Sequence, residues 1–82
     1  MTIGETLKAL REESKPELTQ TQLGKILYMS QKKISRMETN EAKPTPEDIK
    51  AYCLFYKISA DYILGLPKGL TTLNAKTQKK GK

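Results

Sequence analysis

The sequence predicts an all-α fold of five short helices with no strand. Three observations predict it. Apolar residues return every three or four positions, the period of a helix with one buried face, and no segment alternates as a half-buried strand does. A Thr or Ser (Thr2, Thr19, Ser30, Thr45, Ser59) precedes each such run, where its oxygen can accept from the unpaired N–H groups of a first turn. The chain has 82 residues, room for one hydrophobic core.

Thr2 and Glu5 have the spacing of a capping box, with Ile3, Leu7 and Leu10 following on one face, so a first helix is expected to end near Glu13. Ser14-Lys15-Pro16-Glu17 reads as a loop, because Pro16 disfavours helical backbone at the residue before it. Thr19 caps a second helix with Leu23, Ile26 and Leu27 inward, and Ser30 caps a third with Ile34 and Met37 inward. Residues 39–44 form a loop in which Asn40 suits the left-handed conformation that ends a helix. Thr45-Pro46-Glu47-Asp48 combines a cap, a proline at the first helical position and acids facing the positive end of the helix dipole. The helix it opens is expected to run to about Tyr56, with Ile49, Tyr52, Cys53 and Tyr56 on one face. Ser59 caps a last helix, Ala60–Leu64, stopped by Gly65 and Pro67. The folded domain is thus expected over residues 1–67, followed by a basic tail, residues 68–82, too polar to join a core and expected to be disordered.

The net charge of +6 is unevenly placed. Residues 1–67 carry ten Lys and Arg against nine Asp and Glu, whereas residues 68–82 carry five Lys and no acid. Such a balance favours nucleic acid or another acidic partner. Cys53 is the single cysteine and histidine is absent, so a zinc site or a His-based catalytic pair is not expected, nor is any cofactor. No phosphate-binding glycine loop is present, and an enzyme is not expected. Cys53 reads as a small core residue in a reducing compartment. No signal-peptide pattern opens the sequence, and no apolar stretch approaches the ~20 residues of a membrane span, so a cytoplasmic protein is expected.

The segment TQTQLGKILYMSQKKISRME, residues 19–38, concentrates the functional signal. It reads as two short helices joined by a tight break, and the outer face of the second is Gln31, Lys32, Ser35 and Arg36. Helices joined this way make a helix-turn-helix, whose second helix enters the major groove of DNA. No acid lies between Leu18 and Met37, while Lys25, Lys32, Lys33 and Arg36 do, a composition suited to approaching phosphate. An ordinary solvated helix face would mix its charges; this one does not until Glu38.

With LKALREE (7–13), LTQTQLGKIL (18–27), SQKKISRME (30–38), Pro44-Thr45 and ISADYILGL (58–66) in that order, the chain resembles the lambda-repressor-like (Xre/Cro-type) DNA-binding domains. The resemblance runs from Ile3 to Leu66. It implies a compact five-helix fold and a homodimer on a two-fold operator. It also implies that Gln31, Lys32 and Arg36 read bases, that Gln20 contacts a phosphate, and that Arg11 and Glu38 form a structural ion pair. Lys33, on the flank, is expected to reach a base or the backbone, and Lys25 and Ser35 are assigned to the backbone or flank. Three features depart from the family pattern. The loop at Lys15-Pro16-Glu17 is longer than usual, Gly24 replaces the usual Ala, and Tyr28 stands where Gly is common in the turn. A bulky residue at positive φ is unfavourable, so a slightly different turn is expected.

The function expected is that of a sequence-specific regulator of double-stranded DNA, most often a repressor in this family, bound as a homodimer to a palindromic site. An antitoxin-like protein that also holds a protein partner is the alternative; the tail, with only Leu73 after Leu70, offers no second amphipathic helix for it. Tyr52, Phe55 and Tyr56 read as packing rather than a stacking platform for single strands. Leu54 and Phe55 fall outside the inward stripe, and are left either to support the final helix or to form part of a dimer surface.

Overall fold

The computed structural model describes residues 1–65. Five helices follow in chain order: α1 (Ile3–Glu12), α2 (Gln20–Leu27), α3 (Gln31–Glu38), α4 (Pro46–Tyr56) and α5 (Ala60–Leu64). No strand occurs among the described residues. The tail at 68–82 and the stop expected at Pro67 lie outside them.

Local chemistry accounts for the helix starts. Thr2, Thr19 and Thr45 each accept a bond from the backbone N–H three residues on, while the side chain there (Glu5, Gln22, Asp48) accepts from the cap's own N–H. Ser30 accepts from Lys33 N at 3.0 Å, but Lys33 has no acceptor to complete a box. Ser59 has the extended backbone of a cap yet makes no side-chain bond, contrary to the role expected of it.

Leu7, Leu23, Leu27, Ile34, Met37, Tyr52 and Ile63 form one buried cluster to which all five helices contribute. α1 reaches α3 at Gly4, where a Cβ would lie 2.6 Å from the carbonyl oxygens of both Met37 and Glu38. Asn40, left-handed at φ 66° as expected, fastens that junction. Its Oδ1 accepts from Gly4 N at 3.0 Å and its Nδ2 donates to Thr2 Oγ1 at 2.9 Å. The residue that ends α3 therefore satisfies a first-turn N–H of α1. The long first loop is tied at both ends: Arg11 Nη1 donates to Leu18 O at 2.9 Å, and the Ser14 hydroxyl lies 3.0 Å from that of Tyr56.

The inward faces differ from expectation at two points. Ile26, expected inside, is 42% exposed. The buried side of α2 is instead Leu23, Gly24 and Leu27, with the backbone at Gly24 against the turn and α3; at about 100° per residue Ile26 falls well round the helix from the middle of that face. Cys53 sits at the margin of the core, half-buried against it, and burial pushes its thiol pKa upward. On α4 only Tyr52 and Asp48 are fully buried; Ile49 and Tyr56 pack from the edge. The Tyr52 hydroxyl has no hydrogen-bond partner among the described residues. Leu54 and Phe55 are exposed rather than buried beneath α5, with the Phe55 ring edge-on to Tyr56 at 4.8 Å.

Candidate nucleic-acid interface

α2 and α3 are joined by Tyr28-Met29-Ser30. Tyr28 takes φ 60° and ψ 44°, the left-handed conformation for which Gly is commonly used. The altered turn expected from its bulk is therefore not found. Its side chain is 96% exposed and meets no packing obstacle, so the cost is confined to the backbone, about 1–2 kcal/mol. The bond from Met29 N to Gly24 O, at 2.7 Å, closes the turn. A Cβ at position 24 would run into the Met29 carbonyl oxygen, so this close turn requires Gly rather than merely a small residue.

Ile34, Met37 and Glu38 hold α3 down, which leaves Gln31, Lys32, Lys33 and Arg36 exposed and Ser35 half-buried. Lys32 and Arg36 are one turn apart on the outer side. Among the described residues the ion pairs are Arg11–Glu38 and Lys33–Asp48, so Lys32, Arg36 and the exposed Lys25 of α2 carry unneutralised charge there.

Lys33, expected on the flank to reach a base or the backbone, is exposed and also has a partner within the fold. Its ammonium lies 2.8 Å from Asp48 Oδ1, bridging α3 to the start of α4. Burial opposes the Asp48 charge, but Lys33 and the hydrogen bonds from Thr45 outweigh it and hold the carboxyl below its ordinary pKa. Asp48 thus serves two elements, capping α4 and anchoring α3. Its acid at the third helical position is visible in the sequence; its partner fifteen residues earlier is not.

Beneath the outer face lies a polar chain. Arg11 donates from Nε to Glu38 Oε2 at 2.7 Å and from Nη2 to Oε1 at 3.0 Å, a two-point pair with Arg11 8% and Glu38 5% exposed. The bond to Glu38, against the opposing effect of burial, raises the Arg11 pKa. Gln20 Nε2 donates to Glu38 Oε1 at 3.0 Å, and Gln31 Nε2 donates to Gln20 Oε1 at 2.7 Å. The first helical residues of α2 and α3 are thereby joined to each other and to the ion pair. Sequence reasoning named all four residues but did not foresee that they form one chain.

A separate open groove of about 860 Å³, lined by apolar residues including Ile3, Pro44, Ile49 and Leu64, borders α1, α4 and α5 and takes no residue from α2 or α3. Among the described residues no cluster of three or more His, Cys, Asp or Glu is placed to hold a metal. No helix among them is long and apolar enough to cross a membrane.

The chain matches the helix-turn-helix domain family over residues 2–62. No curated protein matches it. A crystal structure of the P22 c2 repressor protein, in complex with synthetic operator 9T in the presence of Tl+, is similar, with a TM-score of 0.70 and 33% sequence identity. The similarity covers 78% of this chain and 94% of that one. By its five-helix order, its turn and these two matches, the chain belongs to the lambda-repressor-like (Xre/Cro-type) family of helix-turn-helix domains.

Proposed function

We propose that this protein is a repressor that binds double-stranded DNA sequence-specifically, as a homodimer on a palindromic operator, in the cytoplasm. The observation that carries the reading is the outer face of α3. Two cations with no acidic partner among the described residues, Lys32 and Arg36, stand beside the exposed amide of Gln31 on a helix that is capped by Ser30, buried along its other side and free of exposed acid as far as Met37. That surface suits a groove lined by phosphate and base-edge acceptors. The repressor of similar structure is bound to an operator, which supports the same mode here.

In this mode Arg36 offers its planar fork to the O6 and N7 acceptors of guanine, Gln31 suits adenine, and Lys32 reads a neighbouring base. Gln20, Lys25 and Ser35 serve the backbone. Lys33 chiefly holds α3 against α4, and its half-exposed ammonium, with one of three donors on Asp48, has others to turn to a flanking phosphate. Exposed Leu54, Phe55, Tyr62 and Leu64 on α4 and α5 support an association between copies. Two recognition helices related by a two-fold axis would read half-sites about one turn, ~34 Å, apart.

Selection of bound sequences from random duplex DNA tests the reading, with the mass of the complex measured in parallel. The expected result is one palindromic motif bound by two chains, with affinity falling steeply as salt rises. Recovery of no preferred sequence, or binding unchanged from low to high salt, would reject it. A second protein co-purifying in fixed ratio would favour the antitoxin-like alternative.

A further inference from the structure

We infer that Glu38, the buried last residue of the recognition helix, sets which base Gln31 reads, by fixing through Gln20 which way the Gln31 amide is turned. This rests on the DNA-reading role proposed above for Gln31.

Donors and acceptors decide how the chain runs. An ionised carboxylate only accepts, and a guanidinium only donates. A glutamine amide does both, and in water its two orientations are nearly equivalent. Between Glu38 and Gln31 they are not. Gln20 donates from Nε2 to Glu38 Oε1 at 3.0 Å; turned end for end, it would set its own oxygen against a carboxylate that is 5% exposed. Acceptor against acceptor in a desolvated site is strongly disfavoured. Glu38 itself does not move to relieve this, since Arg11 holds both its oxygens. Gln20 is therefore held with Oε1 toward its other neighbour, and that oxygen favours a donor from Gln31, whose Nε2 lies 2.7 Å away on the exposed end of the chain. Every bond in the chain points toward the carboxylate.

The direction decides what Gln31 has left to offer. With one Nε2 hydrogen used inward, it presents Oε1 and the remaining N–H side by side, an acceptor and a donor. Adenine shows the complement in the major groove, a donor at N6 and an acceptor at N7. Had the chain run the other way, the Gln31 oxygen would face inward and both N–H groups outward, the complement of the two acceptors of guanine. Glu38 is thus a positioning residue for base choice, and not only half of a stabilising ion pair.

The test is the base-preference profile of the full chain on duplex DNA. Gln31→Ala first identifies the base pair that Gln31 reads, as the one whose preference is lost. Glu38→Gln puts an amide in place of the carboxylate, so that Gln20 is no longer held one way. Gln20→Met leaves the Arg11–Glu38 pair whole and removes the link; it serves alone if Glu38→Gln does not fold. Each is expected to reduce the preference for adenine over guanine at that base pair by about tenfold, the scale of one bidentate contact, while preferences at other positions keep their order. Gln20→Met should also weaken binding to all sequences, because a backbone contact goes with it. If Gln20→Met and a folded Glu38→Gln lower affinity by one factor everywhere and leave the adenine-to-guanine ratio intact, the inference is overturned while the DNA-binding function stands. If Gln31→Ala leaves the profile unchanged, the chain has no reader to orient and the inference also falls. Failure of the unaltered protein to prefer any sequence would instead remove the proposed function itself.

Discussion

Arg11→Ala tests whether the centre of this domain is as dry as its geometry implies. The guanidinium makes two bonds to Glu38, at 2.7 and 3.0 Å, and a third to Leu18 O at 2.9 Å. Its removal leaves the Glu38 carboxylate with Gln20 Nε2 as its remaining side-chain partner, in a setting where Glu38 is 5% exposed. Stranding one charge of a buried pair costs about 3–5 kcal/mol. The carbonyl of Leu18 adds up to ~1 kcal/mol, less where water reaches it. The expected loss is therefore about 4 kcal/mol, out of a total stability of about 4–12 kcal/mol for a chain of this size. Urea unfolding at neutral pH, followed by far-UV circular dichroism, measures this as a fall in midpoint at constant slope. Arg11→Met, which keeps the aliphatic stem, should lose nearly as much, because the missing quantity is charge pairing and not volume. Arg11→Met with Glu38→Leu should recover most of the loss by removing the stranded carboxylate, though Gln20 then lacks its acceptor. A loss under ~1 kcal/mol for Arg11→Ala, the scale of an exposed pair, would refute the reasoning and mean that solvent reaches Glu38.

Gly24→Ala separates helix propensity from the turn. Propensity alone predicts a gain of about 1 kcal/mol, whereas collision with the Met29 carbonyl predicts a net loss of about 1–3 kcal/mol; a raised melting temperature would show the turn to be looser than described. Asp48 has its pKa lowered in the folded state, so the folded chain binds that proton more weakly than the unfolded one. Its stabilisation is complete above the ordinary value of 3.8 and is lost as pH falls through the folded value. Asp48→Asn should therefore be less stable at neutral pH and show a flatter acid limb, and curves parallel to the wild type would mean that Lys33 and Asp48 do not meet. Arg36→Ala should cost ~1–3 kcal/mol on the best site and flatten preference at one base pair per half-site, while Lys25→Ala weakens all duplexes alike. Equal loss on every sequence would make Arg36 a phosphate contact.

What the sequence determined by itself is local. Thr2, Thr19, Ser30 and Thr45 announce their helices because a cap bonds to a backbone group three residues away, and that spacing is written in the chain. The outer face of α3 was legible for a similar reason: Lys32 and Arg36 are one turn apart, and Ile34 and Met37 commit the opposite side to the core. Arg11 and Glu38 were reached only through the family resemblance, since nothing local joins residues that far apart in sequence. The tertiary structure alone decided the rest. It left Ile26 outside the packed face of α2, which is Leu23, Gly24 and Leu27, and it gave Lys33 a partner because the first turn of α4 sets Asp48 beside it. It also joined Gln31, Gln20, Glu38 and Arg11 into one directed chain. Helical periodicity states which way a side chain leaves its own helix; which groups it then meets depends on how three helices pack, a relation between distant segments that no local pattern encodes.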